Sequence, residues 1–272
     1  MQGVFKKKLN EKCRECEITL SAMISLFALV FYALLATDIT FSIEIIPYSV
    51  VFGTCYATAA STYVLALASG SLALTELMVV YSIAVPLTYS LIFCGDTLSI
   101  TQIIGLIFLA VSFFFTYYKP KNTQKKQTKL VRWAIFATLL FFSNGACGVA
   151  KQMQQRVFEG KYDNSFILIS LIIAVVLLAI VAVVKEKRRV LFAIKNGSLL
   201  SGMCGACNGA ANYFSMLCLL VVPGAIYYPL TAAGGLVLTC ILSAVIYKEK
   251  FKANQIIGFV LAALSIVLIN IK

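Results

Sequence analysis

The chain contains nine apolar runs of 18 to 24 residues. A helix rises about 1.5 Å per residue, so each run is long enough to cross the roughly 30 Å hydrocarbon core of a bilayer. No segment between the runs is long enough to form a separate soluble domain. The pattern predicts an all-α integral membrane protein with about nine transmembrane helices, at residues 18–36, 47–68, 72–93, 99–118, 131–150, 164–184, 197–220, 225–246 and 254–271.

Composition supports the same fold class. Hydrophobic residues make up 61% of the 272 residues and charged residues only 12%, whereas soluble domains are roughly 45–50% apolar. The first run follows a tail that holds three glutamates, and eight further runs come after it, which is not the pattern of a cleaved signal peptide. We therefore interpret the first run as a retained transmembrane helix.

The positive charges predict the orientation. The formal net charge is +12, a value that would suggest nucleic-acid binding only in a soluble chain. If the N-terminus is cytoplasmic, nineteen of the 23 lysines and arginines lie in cytoplasmic segments and four lie outside. Because cytoplasmic loops retain Lys and Arg, the N-terminus is predicted inside and the C-terminus outside.

A duplicated unit is visible on either side of the basic segment KPKNTQKKQTK. Shifting the chain by 153 residues places TQIIGLIFLAVS, which starts at Thr101, on NQIIGFVLAALS, which starts at Asn254. The predicted units are a first repeat at 1–118 with four helices, a cytoplasmic linker at 119–130 and a second repeat at 131–272 with five helices. On this alignment the first repeat lacks its opening helix.

A five-helix repeat reverses direction between its two copies, and the loop charges agree with an inversion. The loop after the first helix carries Asp38 and Glu44 without a basic residue, whereas the loop after the sixth reads KEKRR. Inverted repeats are a recurrent plan of secondary transporters, in which a central site opens to either face in turn. The sequence therefore predicts a carrier that works by alternating access.

The end of each repeat resembles the EamA-type drug/metabolite transporter superfamily. The resemblance rests on IYKEKFKANQIIG at 246–258 and its weaker copy IFCGDTLSITQIIG at 92–105, with Asp96 in the position of Glu249. It implies a ten-helix carrier with a central cavity that moves amino acids, other metabolites or drugs, often outward. Members of that family have both termini in the cytoplasm, whereas the charges here place the C-terminus outside.

Polar residues within the runs are the candidates for the solute site, because a polar group in lipid needs a partner. Asn208 and Asn212 are one helical turn apart in the seventh run, where Gly205 and Gly209 alternatively indicate a helix-packing face. The second run aligns with the seventh, so its Tyr56, Thr58 and Tyr63 are expected to line the same cavity from the opposite side. The candidate substrate-binding residues are Asn208, Asn212, Tyr213, Tyr56, Tyr63, Tyr81, Asn144 and Tyr228.

Three further features have two interpretations each. Glu76 is either a coupling group that binds a proton or cation, or a side chain that reaches the lipid headgroups. Lys151 is either an interfacial cation or a group that binds a carboxylate. The eighth run contains Pro229, Gly234 and Gly235, which predict a hinge, although proline is also common in membrane helices without such a role.

The sequence lacks the signatures of several other classes of protein. The chain has no histidine, its CxxC pairs at Cys13 and Cys204 favour packing over metal binding, and no P-loop is present. We expect no metal, no cofactor and no enzymatic activity. The expected partners are a small-molecule solute and the lipid bilayer. A nucleic-acid partner is not expected, and the chain could form a homodimer.

The chain is expected to be a multi-pass protein of the plasma membrane. Export is one direction in which it could carry a solute. The alternatives from other classes are a non-transporting membrane scaffold or assembly partner and, less favoured, an intramembrane enzyme. A channel is a third alternative, although the sequence has neither a charged ring nor a carbonyl filter motif.

Overall fold

In the computed structural model, the described residues are 16–36, 39–70, 72–93, 99–117, 127–187, 189–224, 226–228, 230–231, 234–235, 238 and 253–270. Over these ranges the secondary structure is helical, without strands. A short 3₁₀ helix, Ile43–Ile45, precedes the second helix. The α-helices in chain order are α1 (Glu17–Leu35), α2 (Ile46–Ser69), α3 (Leu72–Tyr81), α4 (Ala84–Phe93), α5 (Ile100–Tyr117), α6 (Gln127–Phe158), α7 (Asp163–Glu186), α8 (Arg189–Val221) and α9 (Ala253–Asn270).

Five helical segments are long and apolar enough to cross a membrane. They are Glu17–Leu35, Ile43–Ser69, Val131–Phe158, Asp163–Glu186 and Arg189–Val221. Shorter apolar helices run from Met78 to Phe93 and from Ile103 to Ser112. The prediction of an all-α membrane protein is therefore confirmed at this level.

The third apolar run differs from the single helix that the sequence predicts. It forms α3 and α4, separated by a turn at Ser82 and Ile83. Pro86 explains the break, because it has no N–H to donate to the carbonyl of Ser82 and its ring crowds that carbonyl. The hydroxyl of Ser82 turns back to the carbonyl oxygen of Val79 at 2.6 Å.

Two helices extend beyond their apolar runs. α6 continues eight residues past 150, and α8 begins at Arg189, eight residues before 197. Lys, Arg and Gln have good helix propensity, so backbone hydrogen bonding continues where the apolar sequence stops. This extension places Lys151 within a helix and not in a loop.

Helices α1 and α7 are antiparallel and are joined near both ends. The Glu186 carboxylate at the end of α7 accepts hydrogen bonds from the backbone N–H groups of Ile18 at 2.8 Å and Thr19 at 2.9 Å. It also accepts one from the Thr19 hydroxyl. At the opposite end, Thr40 donates to the carbonyl oxygen of Lys161 at 2.8 Å, and Ser165 donates to the carbonyl oxygen of Thr40.

The helices pack around a core formed mainly by α1, α2 and α7. α1 also packs on α8, α2 on α6, α3 and α4 on α6, and α5 on α9. The largest buried side chains of this core are Tyr32, Phe52 and Phe166. Large apolar side chains elsewhere on the helices are exposed, as expected for surfaces that face lipid rather than water.

Glycines allow the closest helix contacts. A methyl group on Gly205 would lie 2.4 Å from Phe27 Cβ and 2.7 Å from the carbonyl oxygen of Ile24, both in α1. A methyl group on Gly53 of α2 would lie 2.7 Å from the carbonyl oxygen of Ser170 in α7. The GxxxG segment of α8 therefore forms a packing face against α1.

Candidate functional site: a polar cavity between five helices

A cavity of about 130 Å³ lies between α1, α2, α3, α6 and α8. We call it the central cavity. Five of the candidate residues line it, and the lining is completed by small and apolar side chains. The lining residues are Ser21, Ile24, Tyr56, Ala59, Ala60, Tyr63, Val64, Glu76, Val79, Leu140, Asn144 and Asn208.

Helix periodicity determines which α2 residues reach the cavity. Tyr56 and Tyr63 are seven residues apart, which is close to two full turns, so both rings project from one face. Thr58 is rotated by roughly 200° from Tyr56. Its side chain is exposed, and its hydroxyl donates to the carbonyl oxygen of Thr54 at 2.9 Å. The expectation that Thr58 also lines the cavity is therefore wrong.

A chain of hydrogen bonds links the cavity to the interior of α6 and α8. The Tyr56 hydroxyl donates to Asn208 Oδ1 at 2.6 Å, and Asn212 Nδ2 donates to the same oxygen at 3.0 Å. Lys151 Nζ donates to Asn212 Oδ1 at 2.9 Å and to Ser215 Oγ at 3.3 Å. The two asparagines therefore connect a cavity-lining tyrosine to a lysine.

Lys151 is buried between the helices, with 9% of its surface exposed. Its hydrogen-bond partners among the described residues are neutral, and its ammonium group also lies 5.5 Å from the centre of the Phe52 ring. A buried charge without a counter-charge is costly. The amide of Asn212 and the face of the Phe52 ring therefore stabilise the buried charge of Lys151.

Glu76 reaches the other part of the cavity lining. It is half-buried in α3, and the Tyr63 hydroxyl donates a hydrogen bond to its carboxylate. The side chain thus faces the cavity. Tyr56 and Tyr63 lie about 10 Å apart along α2 at 1.5 Å per residue, so the carboxylate and the asparagine pair occupy separate ends of the site.

Asn144 is held by the break between α3 and α4. Its Nδ2 donates to Ser82 Oγ at 2.6 Å. A methyl group on the next residue, Gly145, would lie 2.9 Å from the carbonyl oxygen of Ser82. The turn that Pro86 causes therefore brings a polar side chain of α6 to the cavity wall.

Four candidates lie apart from the cavity lining. Asn212 stands behind Asn208, and the Tyr213 ring packs edge-on against Tyr32 with centroids 5.9 Å apart. Tyr81 is half-buried at the end of α3, and the Tyr228 hydroxyl donates to the carbonyl oxygen of Gly148 at 2.9 Å. These four residues therefore do not line the central cavity.

The predicted hinge falls only partly on described residues. Gly234 and Gly235 are exposed, and a methyl group on either would meet nothing within 4 Å. Pro229, Asp96 and Glu249 lie outside the described residues. The hinge role remains a prediction from the sequence.

The sequence gives only a weak signal for some lining residues. Ser21 donates to the carbonyl oxygens of Glu17 and Ala60, at 2.9 and 3.1 Å, and it was not among the candidates. Ala59 and Ala60 create space because their side chains are short. Such positions are recognised only once the facing helices are known.

The cavity offers hydrogen-bond donors, acceptors and one carboxylate, which is a set suited to binding a polar molecule rather than to nucleophilic chemistry. Within the described residues no group of three His, Cys, Asp or Glu side chains could hold a metal ion. Cys204 is buried while Cys207 is exposed, so these two thiols have different surroundings.

No family model and no curated protein matches the sequence. A crystal structure of a protein has a similar fold, with a TM-score of 0.64 and 13% sequence identity. The similarity covers 99% of this chain and 94% of the other. At this identity the likeness concerns the fold alone.

Proposed function

We propose that the protein is a multi-pass membrane carrier for small polar solutes, with the central cavity as its solute site. The observation that carries the proposal is a polar cavity lined by five helices of an otherwise apolar bundle. Groups such as Glu76, Asn144 and Asn208 are costly inside a membrane protein and usually have a function there. The solutes that this chemistry suits are metabolites, amino acids or drugs with hydrogen-bonding groups.

Many alternating-access carriers consist of two related halves, and the packing supports an inverted duplication. The repeat alignment makes α1 equivalent to α7 and α2 equivalent to α8. The equivalents α1 and α7 run antiparallel, as the Glu186 contacts require. The α1–α8 and α2–α7 contacts would exchange under the same symmetry, and both are made at glycines, Gly205 and Gly53.

The further details follow from the sequence. A nine-helix array of two inverted repeats, with the first repeat lacking its opening helix, fits the EamA-type drug/metabolite transporter plan. The plasma membrane, export of the solute and Glu76 as the coupling residue belong to this proposal. The structural similarity described above concerns the fold alone, so the proposal depends on the cavity and the repeats.

The binding step follows from the hydrogen-bond chain. A solute that enters the central cavity would accept from or donate to Asn208 and Asn144 at one part of the wall. A cationic or protonated group would bind near Glu76. Because α1, α2, α3, α6 and α8 all contribute to the lining, a change in their packing would change the site and its access together.

Counterflow in proteoliposomes tests the proposal. Vesicles loaded with one unlabelled solute from a panel should accumulate the labelled solute transiently and with saturation. Asn208→Ala should reduce the flux at least tenfold, because it removes the acceptor shared by Tyr56 and Asn212. Asn196→Ala is the matched control in the same helix, since among the described residues Asn196 bonds the carbonyl oxygen of Phe192 and does not line the central cavity.

Other outcomes point to other functions. Flux that does not saturate with any solute would indicate a channel. Absence of flux across the whole panel, from protein that remains folded, would indicate the scaffold function. Equal flux in the Asn208→Ala variant and the wild type would remove the central cavity as the solute site.

A further inference from the structure

A cluster of positive charge lies where α7 turns into α8. The segment KEKRRVLFAIK, at residues 185–195, holds five basic residues and one acidic residue. α7 ends at Glu186 and α8 begins at Arg189, so the backbone that carries these cations is helical on both sides of a short turn. Three exposed lysines of this segment are called the turn lysines: Lys185, Lys187 and Lys195.

The acidic residue of the segment is bonded to a different helix. The Glu186 carboxylate accepts from two backbone N–H groups at the start of α1 and from the Thr19 hydroxyl, so it is held at α1. Residues 1–17, which precede and begin α1, contain five basic and three acidic residues. The total charge at this end of the molecule is therefore positive, however the individual side chains pair.

Helix periodicity places one turn lysine on the outer side of α8. Ala193 is fully buried and packs with Cys16, next to the start of α1. Lys195 is rotated by about 200° from Ala193, and it lies one turn from both Leu191 and Leu199. These two leucines are 76% and 79% exposed. Lys195 therefore lies on a face of α8 where apolar side chains point away from the protein.

The turn lysines lie at the level of the membrane surface. The apolar run of α7 ends at residue 184, directly before Lys185, and the apolar run of α8 begins at residue 197, directly after the basic segment. Long lysine side chains at the end of a membrane helix extend their ammonium groups to the headgroup layer. Basic clusters in this position attract acidic lipids.

We propose that the turn lysines form a binding site for an anionic phospholipid of the cytoplasmic leaflet. The headgroup phosphate would accept hydrogen bonds from the lysine ammonium groups, which are donors only. An acyl chain of the same lipid would lie against Leu199, a contact that a soluble phosphate could not make. The site is separate from the central cavity, and the inference does not depend on the carrier function.

Thermal unfolding of the purified full chain in detergent tests the site, with dioctanoyl phosphatidylglycerol as the probe. Dioctanoyl phosphatidylcholine has the same acyl chains and no net charge, and glycerol 3-phosphate has the anion without the chains. We expect phosphatidylglycerol to raise the melting temperature with saturation, and neither control compound to do so. The effect should decrease as the salt concentration rises, because salt screens charges at a surface.

Variants of the turn lysines locate the site. Lys185→Gln, Lys187→Gln and Lys195→Gln should each weaken the apparent affinity for phosphatidylglycerol about fivefold, the usual contribution of one cation near an acidic lipid surface. Lys195→Arg should keep the affinity because it keeps the charge. These side chains are exposed, so all variants are expected to fold like the wild type.

Lys161→Gln is the matched control. It removes the same charge from an exposed position at the opposite end of α7, and it should leave the affinity for phosphatidylglycerol unchanged. An equal loss of affinity in this variant would mean that the total charge decides binding, and the turn lysines would then not form a site.

Three further results would overturn the inference. Equal stabilisation by phosphatidylcholine would show a general effect of acyl chains, and equal stabilisation by glycerol 3-phosphate would show a site for soluble anions. Unchanged affinity in all three glutamine variants would place the lipid elsewhere. Because the measurement involves no transport, protein without counterflow can still bind the lipid, and counterflow without lipid binding would leave the carrier function standing alone.

Discussion

At the scale of single residues, Lys151 is a buried cation held by neutral partners. Its ammonium group is buried, and its best acceptor is Asn212 Oδ1 at 2.9 Å. Removing that acceptor leaves a buried charge with weaker compensation. The stability of the protein should therefore depend more on Asn212 when Lys151 is present than when it is absent.

We predict that Asn212→Leu lowers the free energy of unfolding by about 2 kcal/mol, the typical value of a hydrogen bond to a charged group. The double variant Lys151→Met with Asn212→Leu should recover most of this loss, because no charge then remains buried. Denaturant unfolding of the three proteins in one detergent measures the difference. A double variant that is less stable than Asn212→Leu would show that Lys151 does not depend on Asn212.

A second prediction concerns Glu76. Glu76→Gln should keep the size of the side chain and a hydrogen bond with Tyr63, but it cannot bind or release a proton. Counterflow measured across a range of pH should therefore lose its pH dependence in this variant. Tyr63→Phe is the control, because it removes the partner and keeps the carboxylate. A pH profile that Glu76→Gln leaves unchanged would exclude the coupling role.

The residue types of the central cavity could be predicted, but not all of their partners. Tyr56, Tyr63 and Asn208 were recognisable because polar side chains at helical spacing in an apolar run need an explanation. The contact of Lys151 with Asn212 joins residues 61 positions apart, and no spacing rule identifies it.

At the scale of helices, the packing of α8 on α1 depends on the absence of side chains at Gly205 and Gly209. We predict that Gly205→Ala destabilises the protein by about 1–3 kcal/mol, the usual effect of overpacking. The added methyl would meet Phe27 Cβ at 2.4 Å and backbone atoms of Ile24 and Ala28 at 2.7 and 2.8 Å. Thermal unfolding in detergent measures the effect.

Gly202, less than one turn earlier in α8, provides the matched control. A methyl group there would approach no atom closer than 3.8 Å. Gly202→Ala should therefore be neutral or stabilise the helix by up to about 1 kcal/mol. Similar losses in both variants would mean that glycine at 205 does not serve close packing.

Helix boundaries were predictable only where the apolar sequence and the backbone hydrogen bonding end at nearly the same residue. In α1, α2 and α7 the helix ends lie within two residues of the ends of the apolar runs. They differ in α6 and α8, because charged and amide side chains continue a helix beyond the apolar segment. The division between α3 and α4 follows from Pro86. Proline also occurs within unbroken membrane helices, so the position of Pro86 in the sequence does not by itself predict a break.

At the scale of the whole molecule, equivalent loops of the two repeats should lie on opposite faces of the membrane. We predict that a single cysteine at Thr40, after α1, reacts with a membrane-impermeant maleimide in intact cells. A single cysteine at Lys187, after α7, should react only after the cells are opened. Both positions are exposed in the structure, and a background without the nine natural cysteines is needed.

This labelling pattern follows from the positive charges and from the antiparallel packing of α1 and α7, which are independent observations. If both cysteines react from the same side, the inverted repeat is wrong and alternating access loses its basis. The fold class could be predicted from the apolar runs alone. The arrangement of helices needed three-dimensional information, because lipid-facing and protein-facing apolar residues are alike in sequence.

The Glu186 contacts have a mechanical consequence. Three donors at the first turn of α1 share one carboxylate of α7, and the far ends of the two helices are joined through Thr40. Sliding one helix along the other would break the bonds at both ends at once, so the pair is expected to move as one rigid body. Whatever opens the central cavity must then shift α2, α3, α6 or α8 against that pair.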